Sequence, residues 1–247
     1  MSQNIFDNEA FFENYRSIRN KVDNYNDMLE QPAMKMLLPD LKDKTVLDMG
    51  CGFGRNCMDF VQRGAKKVTG IDISENMLAV AKTENADENI KYMRLDIENI
   101  DKLNLKFDFI YSSLAIHYIA DFNSLIEKIY NILSDDGIFL FSHEHPLATA
   151  PKAGPQWIRN GDGIKIASIL SDYLENGERQ WNWGMENVIN YHRSFSFLIN
   201  TLIENDFSIV KIVEPFPTKQ VLEIAPNMYD EVHRPTSIII KARKEKT

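Results

Sequence analysis

The sequence is poor in cysteine, in long apolar runs and in excess positive charge, and each shortage excludes a class of protein. Only two cysteines, Cys51 and Cys57, occur in 247 residues. They are too few for a disulfide framework or a cysteine-rich zinc site, so both are expected to be packing residues. No run of 18 or more apolar residues occurs, so a membrane-spanning helix is not expected. The first residues lack the basic start and apolar stretch of a signal peptide, so the expected location is the cytoplasm.

The charge balance argues against a nucleic-acid partner. Lysine and arginine number 28 against 36 aspartates and glutamates, which gives a formal net charge of −8. Proteins that bind nucleic acid gain most of their affinity by neutralising phosphates with basic side chains. An acidic chain without a concentrated basic face is therefore expected to act on a small molecule, as a monomer or a homodimer.

The most informative stretch is a strand-like run that leads into a glycine-rich turn. The run ends in Asp48, and Gly50, Gly52 and Gly54 alternate with other residues before a helix-compatible segment, 55–63. Glycine reaches a positive φ at little cost and lets a ligand approach the backbone. A helix that starts directly behind such a turn offers unpaired N–H groups to a polar ligand. The pattern predicts a cofactor site at this turn.

A second acid indicates which cofactor. The next β-prone run, residues 67–72, ends in Asp72, and an acid about twenty residues beyond such a turn is typical of a ribose-binding carboxylate. A dinucleotide site has the pattern G-x-G-x-x-G, but here Arg55 stands where that pattern has a small residue. No P-loop lysine is present to balance a pyrophosphate. The turn therefore favours a nucleoside cofactor without phosphate over NAD or FAD.

Five segments together resemble the motifs of class I S-adenosylmethionine-dependent methyltransferases of the small-molecule type. In chain order they are residues 46–54, 70–78, 95–97, 107–114 and 133–142. The resemblance is dense over about residues 40–145 and looser over the rest of the chain. These motifs are specific for the cofactor and say little about the substrate.

The resemblance implies S-adenosylmethionine as cofactor, S-adenosylhomocysteine as product, and a set of binding residues. Asp72 would bind the two ribose hydroxyls, and Asp96 would accept a hydrogen bond from the adenine amino group. The remaining residues would border the adenine or the methionine part of the cofactor. The implied set is Gly50, Gly52, Asp72, Ile73, Met77, Asp96, Ile97, Ser112 and Leu114.

Strand-like and helix-like segments alternate along the chain. Helices with apolar residues at helical spacing are predicted between the fourth and fifth strands and again from Phe195. Alternation of this kind predicts an α/β fold with a parallel sheet and helices on both faces, and ligands bind such sheets at the carboxyl ends of the strands. The resemblance implies a Rossmann-like, seven-stranded, mostly parallel sheet with an antiparallel last strand. Strands are predicted near residues 45–48, 67–72, 91–94, 106–111, 137–142, 207–213 and 237–242.

The chain is expected to form one methyltransferase domain, 1–247, with two additions to the sheet. Residues 1–40 are interpreted as an N-terminal helical cap with a helix over 15–38, in which Tyr15 faces the cofactor or simply packs. Residues 146–190 contain many prolines and glycines and all three tryptophans. A loop-rich segment of this length is usually functional. It is expected to be a substrate lid over the methyl group or a surface insertion with its own small core.

A general base is the hardest assignment. An acceptor that carries a proton needs one, and imidazole titrates near neutrality. The candidates are His145, Glu144, His117 and His192. Glu144 and His145 are favoured together, because the fifth strand ends beside the reactive methyl group in methyltransferases of this type.

Two further possibilities concern charged ligands of the same region. His143 and His145 alternate and could be imagined as zinc ligands, but no third ligand has suitable spacing, so no metal site is expected. Arg193 is a candidate for holding an acidic substrate.

Three other functions remain open. Methylation of RNA is disfavoured by the charge and by residues 112–114, Ser-Ser-Leu, which stand where amino methyltransferases of adenine carry an Asn/Asp-Pro-Pro-Tyr-like motif. A protein that binds S-adenosylmethionine without catalysis would keep the same turn and the same acids. An NAD-dependent oxidoreductase is the last alternative, and nicotinamide binding would identify it.

Overall fold

The structure is a computed structural model that describes residues 3–181 and 188–245. The strands in these residues are β1 (Thr45–Met49), β2 (Lys67–Asp72), β3 (Ile90–Arg94), β4 (Phe107–Ser112), β5 (Leu133–Glu144), β6 (Gln156–Arg159), β7 (Lys165–Ile169), β8 (Gly177–Trp181), β9 (Val188–His192), β10 (Phe207–Val213) and β11 (Ser237–Lys244).

The helices are α1 (Glu9–Arg19), α2 (Gln31–Met36), α3 (Arg55–Gln62), α4 (Glu75–Glu84), α5 (Phe122–Ile132), α6 (Pro146–Thr149), α7 (Phe195–Glu204) and α8 (Lys219–Ile224). Short 3-10 segments cover Ile5–Asp7, Ile97–Leu103, Ile116–Tyr118 and Pro226–Val232, and a π-helical turn covers Asn26–Glu30. In the described parts of the chain, no helix combines the length and the apolarity that a membrane crossing requires.

Seven strands form the central sheet in the order β10-β11-β5-β4-β1-β2-β3. The first five strands of the chain pair in parallel, and β11 runs antiparallel to both of its neighbours, β5 and β10. The predicted α/β fold, with its mostly parallel sheet and antiparallel last strand, is confirmed. All seven strands of this sheet lie where the sequence placed them, within a few residues at each end.

The inner strands of the sheet are buried on both faces, which explains why they are strongly apolar. Successive residues of β1 point to opposite faces, and the two apolar clusters of the core divide accordingly. Leu47 packs in the cluster that includes Ile129 of α5 and Leu198 of α7. Val46 packs in the cluster on the other face with Phe60 of α3. This double cover fixes β1 in the centre of the sheet, so the turn that follows it is rigidly placed.

The N-terminal helix differs from the prediction of one helix over 15–38. Helix α1 begins at Glu9 and ends at Arg19, and helical structure resumes only at residue 26. Asn24 interrupts it, because its side-chain amide donates to the Lys21 carbonyl (2.7 Å) and its side-chain oxygen accepts from the Asp27 N–H (3.0 Å). Asparagine side chains compete in this way with the backbone hydrogen bonds of a helix.

Residues 146–190 are more regular than predicted. Strands β6 and β7 form one antiparallel hairpin, and β8 and β9 form another. Trp157 lies between two cations, with Lys165 Nζ and the Arg234 guanidinium each 4.5 Å from its ring. Trp183 and the side chain of Trp181 lie outside the described residues. The segment therefore contains two hairpins that the sequence did not predict, because glycines and prolines surround their short strands.

Asp48, the acid that ends the apolar run of β1, is buried beneath the turn. Its Oδ2 accepts a hydrogen bond from the Cys57 thiol (3.3 Å), and its Oδ1 has no partner among the described residues. Both cysteines are buried and free in this part of the core, as packing residues would be. Burial raises the pKa of Asp48 from 3.8 to about 7, and the thiol hydrogen bond lowers it by less.

Replacing Asp48 with asparagine is expected to stabilise the protein at pH 8 by about 2–4 kcal/mol. Between about pH 4 and 7 the folded state binds a proton at Asp48 that the unfolded state has lost, so wild-type stability falls as pH rises through this window. In Asp48→Asn this loss of stability with rising pH should disappear. Urea unfolding at pH 5 and pH 8 measures the change in unfolding free energy, with the exposed Asp162→Asn as control. An unchanged pH dependence in Asp48→Asn would contradict the burial effect.

Candidate active site

The turn after β1 is shaped by glycines at two positions with different neighbours. Gly50 has φ +72°, and a Cβ at that position would lie 2.5 Å from Cβ of Ala115. Gly52 has φ +51° and open space around the position of a Cβ. The backbone N–H groups of Gly50 and Cys51 both donate to the Ile71 carbonyl at 2.9 Å, which ties the turn to β2. Position 50 therefore needs glycine for packing and conformation, and Gly52 leaves room for a ligand beside the backbone.

A cleft lies at the carboxyl ends of the parallel strands, directly against this turn. It holds about 740 Å³ of empty space, counting the part that is open to solvent. Its walls are formed by Gln3, Ile5, Phe6, Tyr15, Gly50, Gly52, Asp72, Ile73, Met77, Asp96, Ile97, Ser113, Leu114, Ala115, Tyr118 and Ile119. Nine of the ten residues predicted to surround the cofactor are among them; the exception is Ser112.

Asp72 is fixed at this cleft by backbone hydrogen bonds. Its Oδ2 accepts from the Gly52 N–H and its Oδ1 from the Ser74 N–H, each at 2.9 Å. The residue is 8% exposed, and burial raises the pKa of its carboxyl group while the two N–H groups act to lower it. Each carboxylate oxygen can accept more than one hydrogen bond. The carboxylate can therefore accept hydrogen bonds from two hydroxyls of a ligand in the cleft while keeping its bonds to the backbone.

The segment after β3 forms the side of the cleft that faces Asp72. Asp96 begins the 3-10 segment Ile97–Leu103 as its N-cap, with Oδ1 accepting from the Glu98 N–H at 2.9 Å. Its Oδ2 makes no hydrogen bond to a described residue. Ile97 is buried beside it, and Met77 of α4 is buried across the cleft. A flat ring lying between these apolar side chains would meet one acceptor oxygen at its edge.

The N-terminal segment covers the cleft and is held there by polar contacts. Asp7 accepts hydrogen bonds from the Ser74 hydroxyl (2.6 Å) and the Asn76 N–H (3.2 Å). The Phe6 ring packs edge-on against Tyr15, with centroids 5.2 Å apart. The sequence predicted Tyr15 at the cofactor but missed Gln3, Ile5 and Phe6. In the sequence, the only indication of these residues is the apolar pair Ile5-Phe6 ahead of α1.

The segment after β4 is arranged differently from the prediction. The Ser112 hydroxyl is buried and donates to the Met49 carbonyl (2.9 Å), so this side chain ties β4 to β1 and does not reach the cleft. Ser113 lines the cleft instead. Leu114 follows with φ +47°, a conformation that is rare for a leucine and needs support from its surroundings.

That support comes from Glu30, a buried carboxylate that the sequence did not single out. It is 0% exposed and accepts hydrogen bonds from the hydroxyls of Ser113 (2.8 Å) and Ser142 (2.5 Å) and from the Gln31 amide (2.8 Å). The Ser142 hydroxyl also accepts from the Leu114 N–H at 2.9 Å. Glu30 therefore holds the cleft wall at Ser113 and Leu114. Its sequence signal is weak: one acid in an otherwise helix-like run.

In two of the predicted catalytic histidines, His145 and His192, both ring nitrogens make hydrogen bonds within the protein. Nε2 of His145 lies 2.9 Å from the Glu214 carboxylate, and Nδ1 accepts from the Leu147 N–H (3.1 Å) at the start of α6. His192 is buried, with Nδ1 2.8 Å from the Thr149 hydroxyl and Nε2 2.8 Å from the Tyr173 carbonyl. Glu144, the residue favoured together with His145, accepts a hydrogen bond from the Asn190 amide.

His143 and Arg193 form a buried pair behind the cleft. Nη1 of Arg193 donates to Nε2 of His143 (3.1 Å), so the imidazole carries its proton on Nδ1 and donates it to the Glu144 carbonyl (2.6 Å). Burial, with Arg193 beside it, holds the pKa of His143 well below its usual range. The other guanidinium nitrogen, Nη2, donates to the carbonyls of Ile119 and Ala120. Burial lowers the pKa of Arg193 to about 10.

These contacts bear on two predictions. The guanidinium of Arg193 is used inside the protein, which speaks against the expectation that it holds an acidic substrate. Within residues 3–181 and 188–245, no three histidine, cysteine or acidic side chains are grouped as a metal ion would need.

His117 is the remaining predicted base. It is buried, and burial lowers the pKa of its imidazole despite the opposing influence of the Glu144 carboxylate. Its ring packs against Tyr118, with centroids 4.3 Å apart, and Tyr118 lines the cleft. None of the four predicted catalytic residues is in the described lining of the cleft, and His117 adjoins that lining through Tyr118.

Comparisons with known proteins agree with this arrangement. Residues 47–141 match the model of a methyltransferase domain. A Haemophilus influenzae protein of no assigned function is 37% identical over 97% of this chain and 96% of its own length. A malonyl-[acyl-carrier protein] O-methyltransferase from Enterobacter lignolyticus is 31% identical, but the match covers only 44% of this chain and 43% of that protein.

Two solved structures match nearly the whole fold at substantial identity. One, from Listeria monocytogenes, is assigned to the S-adenosylmethionine-dependent methyltransferases; it is 39% identical, with a TM-score of 0.80, over 88% of this chain and 98% of that chain. The other, an S-adenosylmethionine-dependent methyltransferase from Mesorhizobium loti, is 36% identical, with a TM-score of 0.79, over 87% and 97%. This chain belongs to the S-adenosylmethionine-dependent methyltransferases.

Proposed function

We propose that this protein transfers the methyl group of S-adenosylmethionine to a small-molecule acceptor. The observation that carries the proposal is that nine of the ten residues predicted to surround the cofactor line one cleft. The N-terminal segment covers this cleft. The net charge of −8 favours a small acceptor over nucleic acid. The partial relative from Enterobacter lignolyticus, named as a malonyl-[acyl-carrier protein] O-methyltransferase, also supports an acceptor other than nucleic acid.

The cofactor is proposed to lie across the cleft with its ribose at Asp72. The fixed carboxylate accepts the two ribose hydroxyls, and Asp96 accepts the adenine amino group. Ile73, Met77 and Ile97 enclose the adenine ring. The methionine part follows the backbone of Gly50 and Gly52 toward Leu114, and Tyr15 covers it. These assignments rest on the motifs shared with methyltransferases and are supported by the presence of all these residues at one cleft.

The chain's contribution to methyl transfer is mostly positional. The sulfonium of the cofactor is its own leaving group, so the protein must hold donor and acceptor in line and keep water out. The aromatic side chains of Phe6, Tyr15 and Tyr118 line the cleft, where their bulk would help to keep water out. A proton released by the acceptor needs a nearby base, and among the predicted candidates we favour His117, whose ring packs against Tyr118 of the cleft wall.

An acceptor screen tests the proposal. The purified protein is incubated with methyl-labelled S-adenosylmethionine and a metabolite extract, and in parallel with total RNA and with a protein fraction. Label is expected in one or a few compounds of the small-molecule fraction. Label in the RNA alone would replace the small-molecule assignment with RNA methylation. Tight cofactor binding without label in any fraction would indicate a non-catalytic binding protein.

A further inference from the structure

Residues 3–7 form a strap that is tied to two different parts of the fold. At one end, the Asp7 carboxylate accepts a hydrogen bond from the hydroxyl of Ser74, the N-cap of α4 (2.6 Å). At the other end, Oε1 of Gln3 accepts from the backbone N–H of Ile189 in β9 (2.9 Å). The strap therefore runs from the start of α4 to the hairpin of β8 and β9.

The two ties lie on opposite sides of the glycine turn. Helix α4 follows β2, and β9 packs against the 3-10 segment Ile116–Tyr118, which follows β4. In the sheet, β2 and β4 are the two neighbours of β1. Between the ties, Ile5 and Phe6 line the cleft, and the Phe6 ring lies 6.4 Å from the Tyr118 ring, centroid to centroid. A ligand that fills the cleft is therefore enclosed between the strap and the strand ends.

Asp7 is also connected to the proposed ribose acceptor. Ser74 donates its hydroxyl hydrogen to Asp7 and its backbone N–H to Oδ1 of Asp72. Arg94 supports the same tie, because its Nη2 lies 3.7 Å from Oδ2 of Asp7 while its Nε donates to the Ile73 carbonyl (3.1 Å). The strap and the ribose site therefore share Ser74, so the position of one constrains the other.

The strap can detach without opening the core. No residue of the 3-10 segment Ile5–Asp7 is buried. Segments with few buried contacts open locally at a much lower free energy than the whole domain unfolds. The hydrogen bonds at the two ends therefore decide how long the strap stays in place.

We infer that the strap is a gate for the cofactor, and that Asp7 is the positioning residue that keeps this gate closed. The inference rests on the proposed function, because it requires the cofactor to occupy this cleft. In that complex S-adenosylhomocysteine lies beneath the strap, so its release requires the strap to leave. Weaker ties raise the rate of release, whereas a wall that does not move leaves this rate unchanged.

Release kinetics test the gate. The dissociation and association rates of S-adenosylhomocysteine are measured by stopped flow. Asp7→Ala removes the hydrogen bonds that Asp7 accepts from Ser74 and Asn76. The dissociation rate is expected to rise at least about tenfold, and the association rate to stay within about threefold or to rise. An unchanged dissociation rate, or an affinity loss carried only by slower association, would overturn the inference.

Hydrogen exchange at the Ile189 N–H separates an opening strap from local damage at Asp72. Gln3 holds this N–H at the end of the strap that is remote from Asp7. If the strap opens as one unit, the Ile189 N–H exchanges at least about threefold faster in Asp7→Ala, and S-adenosylhomocysteine slows its exchange in the wild type. Wild-type exchange at Ile189 in Asp7→Ala would overturn the gate.

Further variants make the test specific. Asp7→Asn keeps an acceptor oxygen for Ser74, so its dissociation rate should lie between those of the wild type and Asp7→Ala. Gln3→Ala cuts the other tie and should also speed dissociation, by about threefold or more; this variant decides the test if Asp7→Ala does not fold. Asp23→Ala and Gln220→Ala, at exposed positions, are the matched controls with wild-type rates.

Calorimetry on the wild type separates the two levels of the hypothesis. A wild-type protein that does not bind S-adenosylhomocysteine would refute the proposed function. Normal binding by the wild type, together with wild-type dissociation rates in Asp7→Ala and Gln3→Ala, would refute the gate alone.

Discussion

Replacing Asp72 with asparagine is expected to reduce affinity for S-adenosylmethionine about 100-fold, close to 2.7 kcal/mol. The carboxylate holds the Gly52 and Ser74 N–H groups and, in the proposed complex, two ribose hydroxyls. Asparagine supplies only one acceptor oxygen, and its NH2 group would face an N–H donor of the backbone. Isothermal titration calorimetry measures the loss.

The control for this variant is Asp162→Asn, which removes the same charge at an exposed hairpin turn. Its affinity for S-adenosylmethionine should equal that of the wild type. Thermal unfolding without cofactor shows whether Asp72→Asn is folded. A folded Asp72→Asn protein with wild-type affinity would remove Asp72 from the ribose site.

Replacing Glu30 with alanine is expected to cost about 2–4 kcal/mol of unfolding free energy. The hydroxyls of Ser113 and Ser142 and the Gln31 amide lose their common acceptor, and a cavity remains in the core. Leu114 loses the support that Ser142 gives its N–H group. Because Ser113 and Leu114 line the cleft, cofactor affinity should also fall, by about tenfold. Urea unfolding and calorimetry measure the two effects.

Two further variants make this prediction specific. Glu30→Gln keeps the size and one acceptor oxygen, so its losses should lie between those of the wild type and Glu30→Ala. Glu13→Ala removes an exposed acid from α1 and should change neither quantity. Wild-type stability and affinity in Glu30→Ala would show that the buried carboxylate does not hold the cleft wall.

The central sheet could be predicted from the sequence because its signal is local. The inner strands β1 and β4 are short apolar runs that are buried on both faces, and turn residues mark where they end. Ligands bind at the carboxyl ends of such strands, so the ends of the runs also located Gly50, Asp72 and Asp96. Eight of the nine residues found at the cleft follow from this rule and from the motifs that the chain shares with methyltransferases, and Tyr15 was predicted from the N-terminal cap.

The parts that could not be predicted depend on contacts between distant residues. Glu30 meets Ser113 and Ser142 across 83 and 112 positions of the chain. Glu144 and His145 were favoured because the fifth strand ends beside the reactive methyl group, but their hydrogen-bond partners are Asn190 and Glu214, 46 and 69 positions away. Side chains of consecutive residues on an extended chain point to opposite sides. The position of the two residues at the end of one strand therefore could not indicate these separate partners.

The most direct test of the cofactor site is a crystal structure of the protein with S-adenosylhomocysteine. The ribose hydroxyls are predicted to hydrogen-bond to the Asp72 carboxylate, with the adenine between Met77 and Ile97 and its amino group at Asp96. A ligand bound outside this cleft, or bound within it with its ribose away from Asp72, would contradict the proposed site.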